Sequence, residues 1–598
     1  MLNGKTAAAA FAMLAFLLLG VGLADELEDN WNDFLHYTKI GRFDLAKGYA
    51  QAILDSNPEP TRLLELARAS EEDYRIMLKV NEMAPDEDLA ELTGKILKVV
   101  EEGRFERRSD DAIVAAEVRR LSSTERGWLI AVERLQNAGE YAIPFMLQAL
   151  ADDTRQDEWE DIVRALPLMG KDAIRPLAAA LQMDNVRVEK HIIEALGGIG
   201  YPQALPYLKY VVEKDDSSEL RDEARGSIAK INPEAARIPS ARLFHQLGEN
   251  YYYHTESLEP KQQSKYGNIW FWDEDQGKLT YEIVDRAYFY ELMAMRCCEW
   301  ALKADPSLGN AISLWIASFF KAESAGVAMP LYFGDKHADA LVYATTAGVE
   351  YLHEALARAV KDKNAYVALG IVEALATTAG EESLLYTVGP VQPLSQALSF
   401  DNRAVRYSAA IAIAAAGPTQ PFAEHKLVVR NLVEALRQKP VAAGEDTELW
   451  SDEIARTYSI RAARVMFKLA QSRNRIIDLS LARDALIEAT GSERPEMQKV
   501  VCQTLAYLDS PDAQRAVAAV AMNEANSLEV RISAFESLGT SAKMHGNMLV
   551  DQTIDALYGL ISSDQTDANL RSAAAAAYGS LNLPSRKVKD LILDQARS

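Results

Sequence analysis

The stretch "GKDAIRPLAAALQMDNVRVEKHIIEALGGIGYPQALPYLKYVVEKD" at residues 170–215 decides the fold. It contains a glycine followed within six residues by a proline, and this pair recurs about every 30 residues. Glycine ends a helix in the left-handed region, and proline is tolerated only in the first turn of a helix. Each pair therefore predicts a corner between two helices, and three corners are present: Gly139 with Pro144, Gly170 with Pro176, and Gly200 with Pro206.

A second recurrence marks the other helix of each predicted hairpin. An aliphatic residue followed by arginine appears at Val186-Arg187, Leu220-Arg221, Val405-Arg406, Ile460-Arg461, Val530-Arg531 and Leu570-Arg571. Asn185, Asn402 and Asp567 precede such pairs, and we expect their side chains to cap the helices. Alanine often lies three positions after the arginine, where a small side chain allows adjacent helices to approach closely, as at Ala224, Ala409, Ala534 and Ala574.

The segments 170–215 and "LEVRISAFESLGTS" at 528–541 resemble HEAT repeats of the bacterial type shared with phycobilisome-lyase proteins. "KIGRFDLAKGYAQAILDSNP" at 39–58 resembles the centre of a tetratricopeptide repeat, and "AMRCCEWALKADPSLGNAISLWIASFF" at 294–320 resembles a second such unit. The order of these parts is similar to that of large exported HEAT-repeat proteins of planctomycete-like bacteria. The resemblance implies an all-α, armadillo-like α-solenoid of HEAT and tetratricopeptide-like hairpins.

The predicted organisation has five parts. They are a signal peptide at 1–24, tetratricopeptide-like hairpins at 25–135, HEAT repeats at 136–240, tetratricopeptide-like helices with an inserted β-hairpin at 241–345, and HEAT-like repeats at 346–598.

The first 24 residues have the pattern of a secretory leader. Lys5 is followed by an uncharged stretch from 6 to 24, and small residues, Gly22 and Ala24, precede a possible cleavage before Asp25. We expect cleavage after Ala24 and a periplasmic or cell-envelope location. An uncleaved anchor is the alternative, because 19 uncharged residues can just span a bilayer.

Charge and motifs argue against several kinds of chemistry. A net charge of -23 disfavours nucleic-acid binding, because phosphates repel an acidic surface. Eight dispersed histidines show no H-x-x-x-H or H-E-x-x-H spacing, and a single pair, His353-Glu354, does not make a metal site. Phosphate-binding glycine motifs and G-x-S-x-G are absent from the sequence. We therefore predict no catalytic residues, no metal and no cofactor.

The three cysteines are not arranged as a disulfide framework. Cys297 and Cys298 are adjacent on a predicted helix, where neighbouring side chains point about 100° apart, so they are poorly placed to pair. Buried, inert thiols are the favoured interpretation, with a redox pair as the alternative.

One aromatic segment interrupts the helical pattern. "GNIWFWDEDQGKLTYEIV" at 267–284 alternates, turns at 275–277 and alternates again, which predicts a β-hairpin. Eleven aromatic residues fall within 251–290. One face of this hairpin can dock on the solenoid, and two interpretations of the other face remain: neighbouring helices bury it as core, or it presents Trp270 and Trp272 to a partner. The candidate partner-binding residues are Tyr252, Trp270, Trp272 and Tyr281.

These features favour an exported protein-binding scaffold without catalysis. Its partner is a protein that the sequence does not identify, and homo-oligomerisation is compatible with the pattern. The alternatives are a self-assembling envelope-structural or coat-like protein, or an enzyme with a site near the 241–345 insert, where His245 and His254 lie close to the aromatic residues.

Overall fold

A computed structural model describes residues 26–83, 86–260, 265–326, 338–439 and 450–584, together with positions 589, 592 and 593. The predicted leader at 1–24 lies outside the described residues. The chain forms two compact units. Unit 1 comprises the described residues up to Leu247 together with Glu256–Arg286, and unit 2 comprises Gly248–Thr255 and the described residues from Ala287 onward.

Unit 1 is a series of helices with one β-hairpin. Short 3-10 segments join several of the helices. The helices are α1 (26–39), α2 (Phe43–Asp55), α3 (Pro60–Ala69), α4 (Glu71–Met83), α5 (Glu87–Arg108), α6 (Asp111–Arg120), α7 (Glu125–Ala138), α8 (Ala142–Ala151), α9 (Trp159–Ala165), α10 (Ile174–Ala180), α11 (Val186–Ile199), α12 (Leu205–Lys214), α13 (Ser218–Ile231) and α14 (Ser240–Tyr252, shared with unit 2), and the strands are β1 (Tyr266–Asp273) and β2 (Lys278–Asp285).

The described residues of unit 2 form helices and their connections, with isolated β-bridge positions at Val388, Val391 and Trp450. Its helices are α15 (Arg286–Ala304), α16 (Gly309–Glu323), α17 (Ala340–Thr346), α18 (Val349–Lys361), α19 (Ala365–Thr378), α20 (Glu381–Leu384), α21 (Pro393–Ala397), α22 (Arg403–Ala416), α23 (His425–Leu436), α24 (Asp452–Gln471), α25 (Arg483–Ala489), α26 (Pro495–Leu505), α27 (Pro511–Met522), α28 (Leu528–His545), α29 (Asp551–Ser562) and α30 (Ala568–Ser580).

The packing within each unit has the pattern of a helical repeat. In unit 1, α13 contacts both α12 and α11, the two helices before it in the chain. In unit 2, α26 contacts α27, and both contact α28. Such packing buries a continuous core because each repeat covers the apolar face of its neighbour. The α-solenoid with a small β-hairpin is therefore the observed fold.

The three glycine–proline corners are confirmed. Gly139, Gly170 and Gly200 have φ angles of +64°, +71° and +72°, a region that side chains with a Cβ rarely adopt. Each proline that follows lies within the first three residues of α8, α10 or α12. A proline there removes an N–H group that would have no partner inside the helix.

The predicted caps are also confirmed. The side chains of Asn185, Asn402 and Asp567 accept backbone N–H groups at the starts of α11, α22 and α30. The four alanines predicted on the inner face, Ala224, Ala409, Ala534 and Ala574, are fully buried.

Two of the recurring arginines bind backbone carbonyls just before the start of their own helices, whereas Arg187 donates to the Leu150 carbonyl of the preceding repeat. Arg221 donates to the carbonyls of Asp215 and Asp216 at 2.6 and 3.0 Å, and Arg406 donates to those of Phe400 and Asp401 at 3.0 Å. Ile460-Arg461 departs from the prediction, because Arg461 lies in the middle of α24 rather than at a helix start.

Candidate partner-binding groove

A carboxylate at the first corner anchors the hairpin. Glu140 follows Gly139, and its Oε2 accepts the indole N–H of Trp270 at 2.7 Å, while its Oε1 accepts the Asn268 amide at 3.0 Å. Arg175 on α10 lies 3.0 Å from the same Oε2 and balances the charge. The strand residues that make these bonds are far from Glu140 in sequence, so the corner fixes where the insert docks.

The base of the hairpin is covered on both faces. Ile269 and Trp270 are neighbours on β1 and therefore point to opposite faces, yet they are only 1% and 4% exposed. Our prediction that Trp270 is presented on an open face is wrong, because this face packs against the Glu140 corner and the rings of Tyr141 and Tyr281. The sequence could not reveal this, since the covering residues belong to an earlier repeat.

Nearer the turn, the same face borders a groove of about 600 Å³. Trp272, Leu279 and Tyr281 form one wall, because the pairings Trp272↔Leu279 and Trp270↔Tyr281 place these side chains on one face. Phe145 and Gln148 on α8 belong to the opposite wall. We call this space, with Trp272, Leu279, Tyr281, Phe145 and Gln148 as its principal lining residues, the aromatic groove.

The rings at the groove are held in fixed positions. Tyr141 and Trp270 both lie against Tyr281, with ring centroids 5.5 and 4.8 Å away. Burial raises the pKa of Tyr281, and the carboxylates of Asp111 and Glu140 raise it further. Tyr281 therefore keeps its phenolic proton and can donate a hydrogen bond, while 38% of the residue remains exposed.

The candidate residues lie in two units. Trp270, Trp272 and Tyr281 belong to unit 1, and Trp272 is partly buried against its core. Tyr252 belongs to unit 2 and is 2% exposed. Its carbonyl accepts Lys321 Nζ at 2.5 Å, and the same ammonium group lies 4.5 Å from its ring centroid. Partner binding by these side chains stays a prediction.

His254 belongs to a charged cluster in unit 2. From the sequence, this histidine was considered as part of an alternative enzyme site. Its Nε2 lies 2.7 Å from Glu291 Oε1, and Lys321 Nζ lies 3.1 Å from the same oxygen. Burial acts to raise the pKa of Glu291, but the His254 hydrogen bond and the Lys321 charge outweigh it and lower the pKa. The carboxylate is therefore ionised and ties α15 to α16.

His353, which was considered from the sequence as a metal ligand and set aside, is a buried residue. It is fully buried on α18, and Nε2 lies 3.1 Å from the Ser383 carbonyl. Burial lowers the pKa of His353 to about 4. Cys297 and Cys298 are buried as predicted, and burial raises the pKa of the Cys298 thiol.

Among the residues that the structure describes, no group of three or more His, Cys, Asp or Glu side chains is placed to hold a metal ion. In the same part of the chain, every helix is too short or too polar to cross a membrane.

Residues 143–229 match a family model described as HEAT repeats. This part of the chain is similar to HEAT repeats. The matched residues include the α8 wall of the aromatic groove and α10, which carries Arg175. No curated protein gives a match.

Several solved structures show a distant similarity. UNC-45 from Drosophila melanogaster is 12% identical with a TM-score of 0.33, over 92% of this chain and 81% of that one. Yeast importin-beta is 13% identical with a TM-score of 0.27, over 88% and 70%. Human deoxyhypusine hydroxylase is 15% identical with a TM-score of 0.20, over 76% and 98%.

Proposed function

We propose that this protein is a binding scaffold that holds an extended segment of a protein partner in the aromatic groove. The observation that supports this most directly is the groove itself, with rigid aromatic rings on one wall and a helix of a HEAT repeat on the other. Aromatic side chains that are fixed in place lose little entropy on binding, and they are the residues that most often anchor protein interfaces.

An extended segment fits the strand that borders the groove. Residues 278–281 of β2 line it. Among the described residues, β2 pairs only with β1, so its outer edge has no strand partner. A peptide can add to such an edge through main-chain hydrogen bonds and place alternate side chains against Tyr281 and Ile283, which are 38% and 53% exposed.

The charge of the chain narrows the kind of segment. The net charge of the chain is -23, and the charged residues that line the groove are one of each sign, Asp111 and Lys278. The charge of the chain as a whole therefore disfavours an acidic segment, whereas an apolar segment flanked by basic residues gains from complementarity. We propose a partner segment of that composition.

The test is a peptide selection on the purified protein, followed by affinity measurements with the enriched peptides. We expect binding to weaken at least about tenfold in Trp272→Ala/Tyr281→Ala, since interface aromatics typically contribute above about 1–2 kcal/mol each. Gln148 is exposed on α8, so Gln148→Arg should block the groove without disturbing the packing of the hairpin. A loss of peptide affinity in this variant therefore cannot be attributed to an unfolded hairpin.

Tyr366→Ala is the matched control. Tyr366 is 49% exposed on α19 in unit 2, and its loss should leave the affinity unchanged. Peptides that bind both groove variants as tightly as the wild type would show that the groove is not the binding surface.

We also propose that the chain is exported after cleavage at Ala24, and that its repeats are of the bacterial phycobilisome-lyase type. We further propose that α1–α2 and α15–α16 are tetratricopeptide-like. The basis for export is the uncharged stretch at 6–24 with small residues at its end. A fusion of residues 1–40 to a reporter that is active only after export should be active. An expressed but inactive fusion would contradict export.

A further inference from the structure

Five arginine side chains line one cleft of about 250 Å³ in unit 1. They come from three helices, with Arg68 on α3, Arg104, Arg107 and Arg108 on α5, and Arg134 on α7. We call this space the arginine cleft. Such a concentration is unexpected in a chain whose net charge is -23, because like charges in one cleft repel each other.

The packing of α5 on α3 brings these side chains together. Gly103 is one turn before Arg107, and a Cβ atom there would lie 2.0 Å from the carbonyl oxygen of Pro60. Only glycine permits the two helix backbones to touch at this point. The close packing of α3 and α5 therefore holds the arginines of these two helices near each other.

The protein does not neutralise this charge. Arg134 pairs with Glu117 at 2.5 Å, and Arg104 pairs with Glu101 at 2.8 Å. Across the described residues, no ion pair within 4.0 Å involves Arg68 or Arg107, both of which are exposed. Arg108 has a carboxylate nearby, because its Nη2 and the Oδ2 of Asp172 are 2.9 and 3.2 Å from the position of a Cβ at Gly139. Two arginines of the cleft therefore have no carboxylate partner. Burial and the charges of Arg107 and Arg104 lower the pKa of Arg68.

Hydrogen bonding in the cleft is also incomplete. The Nε atoms of Arg104 and Arg108 are buried and have no acceptor. A buried charged donor without an acceptor is costly, and an anion in the cleft stabilises these guanidinium groups through its charge.

We propose that the arginine cleft binds the phosphoryl or diphosphoryl group of a phosphorylated ligand. A carboxylate has two oxygens, which one arginine fork satisfies. Arg68 and Arg107, which have no ion pair, together with the other three guanidinium groups around one cavity match a group with more oxygens and more charge, and a cleft of about 250 Å³ has room for a diphosphate. This site is separate from the aromatic groove and does not depend on the proposed scaffold function.

The first experiment measures the binding of inorganic pyrophosphate by calorimetry at low ionic strength. We expect Arg68→Gln and Arg107→Gln each to weaken binding about tenfold or more, since a hydrogen bond to a charged group contributes about 1.5–3 kcal/mol. The double variant Arg68→Gln/Arg107→Gln should abolish measurable binding.

The matched control is Arg119→Gln/Arg126→Gln, which removes the same charge from exposed positions on α6 and α7 outside the cleft. It should retain wild-type affinity. Equal loss in both double variants, equal affinity for acetate and pyrophosphate, or no binding by the wild type would each overturn the proposal.

Thermal melting gives a second readout that does not rely on affinity alone. Without ligand, Arg107→Gln should melt no lower than the wild type, because the substitution relieves repulsion and breaks no ion pair. Pyrophosphate should raise the melting temperature of the wild type and not that of the double variant. A lower ligand-free melting temperature for Arg107→Gln would show that this arginine is a structural residue and overturn its role in binding.

The source of the phosphoryl group is tested with vesicles. Phosphatidylcholine vesicles with and without phosphatidic acid are compared in a flotation assay with the wild type and Arg68→Gln/Arg107→Gln. Binding that requires phosphatidic acid and both arginines assigns the cleft to a lipid headgroup. Pyrophosphate binding without flotation assigns it to a free phosphorylated molecule.

Discussion

Trp270→Ala tests whether the aromatic insert is held by the helical corner at Glu140. The substitution removes a side chain that is 4% exposed and whose indole N–H donates to Glu140 at 2.7 Å. It leaves Asn268 and Arg175 as the remaining described partners of that carboxylate.

The magnitude follows from burial. Truncating a buried tryptophan to alanine costs about 3–5 kcal/mol. A domain of this size shifts its melting temperature by about 2–4 °C for each kcal/mol, so the transition of unit 1 should fall by about 6–20 °C. Trp270→Phe keeps most of the apolar contact and loses the hydrogen bond, so its loss should be smaller, about 1.5–3 kcal/mol.

Differential scanning calorimetry on the full chain measures these shifts. Tyr366→Ala serves as the exposed aromatic control and should melt within about 0.5 kcal/mol of the wild type. A Trp270→Ala variant that keeps its melting temperature while losing peptide binding would refute the reasoning, because Trp270 would then be a contact residue and not part of the core.

Three further predictions concern other parts of the chain. Because burial lowers the pKa of His353 to about 4, the unfolded chain takes up a proton near pH 6.5 while the folded chain does not, and the free energy of unfolding should fall by about 3 kcal/mol as the pH drops from 6.5 to 4. Denaturant titrations of His353→Leu should lose this pH dependence, and an unchanged dependence would contradict the prediction. Gly103→Ala should lower the free energy of unfolding by about 1–3 kcal/mol in denaturant titrations, because the added Cβ meets Pro60. Gly226→Ala is the control, since its Cβ meets nothing within 4 Å and the change should be neutral or stabilising. Equal effects of the two substitutions would refute the close approach of α5 to α3. Random duplex DNA should not bind at physiological salt in an anisotropy titration, because five arginines in one cleft do not form a track along a backbone; salt-sensitive, submicromolar binding would contradict this.

The sequence predicted the elements whose physics is local. The positive φ angle at Gly170 and Gly200, the cap at Asn185 and the hairpin turn ending at Gly277, with a φ of +60°, each depend on a few consecutive residues. Such residues restrict the backbone wherever the helices finally pack. The prediction of a helix start at Ile460-Arg461 was wrong, because the dipeptide reports only on local sequence. These residues lie inside one longer helix, α24, which packs against α22, α23 and α26.

Tertiary structure decided the features that bear on function. Glu140 meets Trp270 across 130 positions of sequence, and this contact turns a predicted exposed tryptophan into a core residue. Arg68 and Arg107 share a cleft because α3 packs on α5, and His353 is buried by residues that follow its own helix. The residue patterns predicted the repeats because helix starts and ends depend on local sequence. The groove and the cleft could not be predicted in this way, because burial and charged neighbours depend on how the repeats pack in three dimensions.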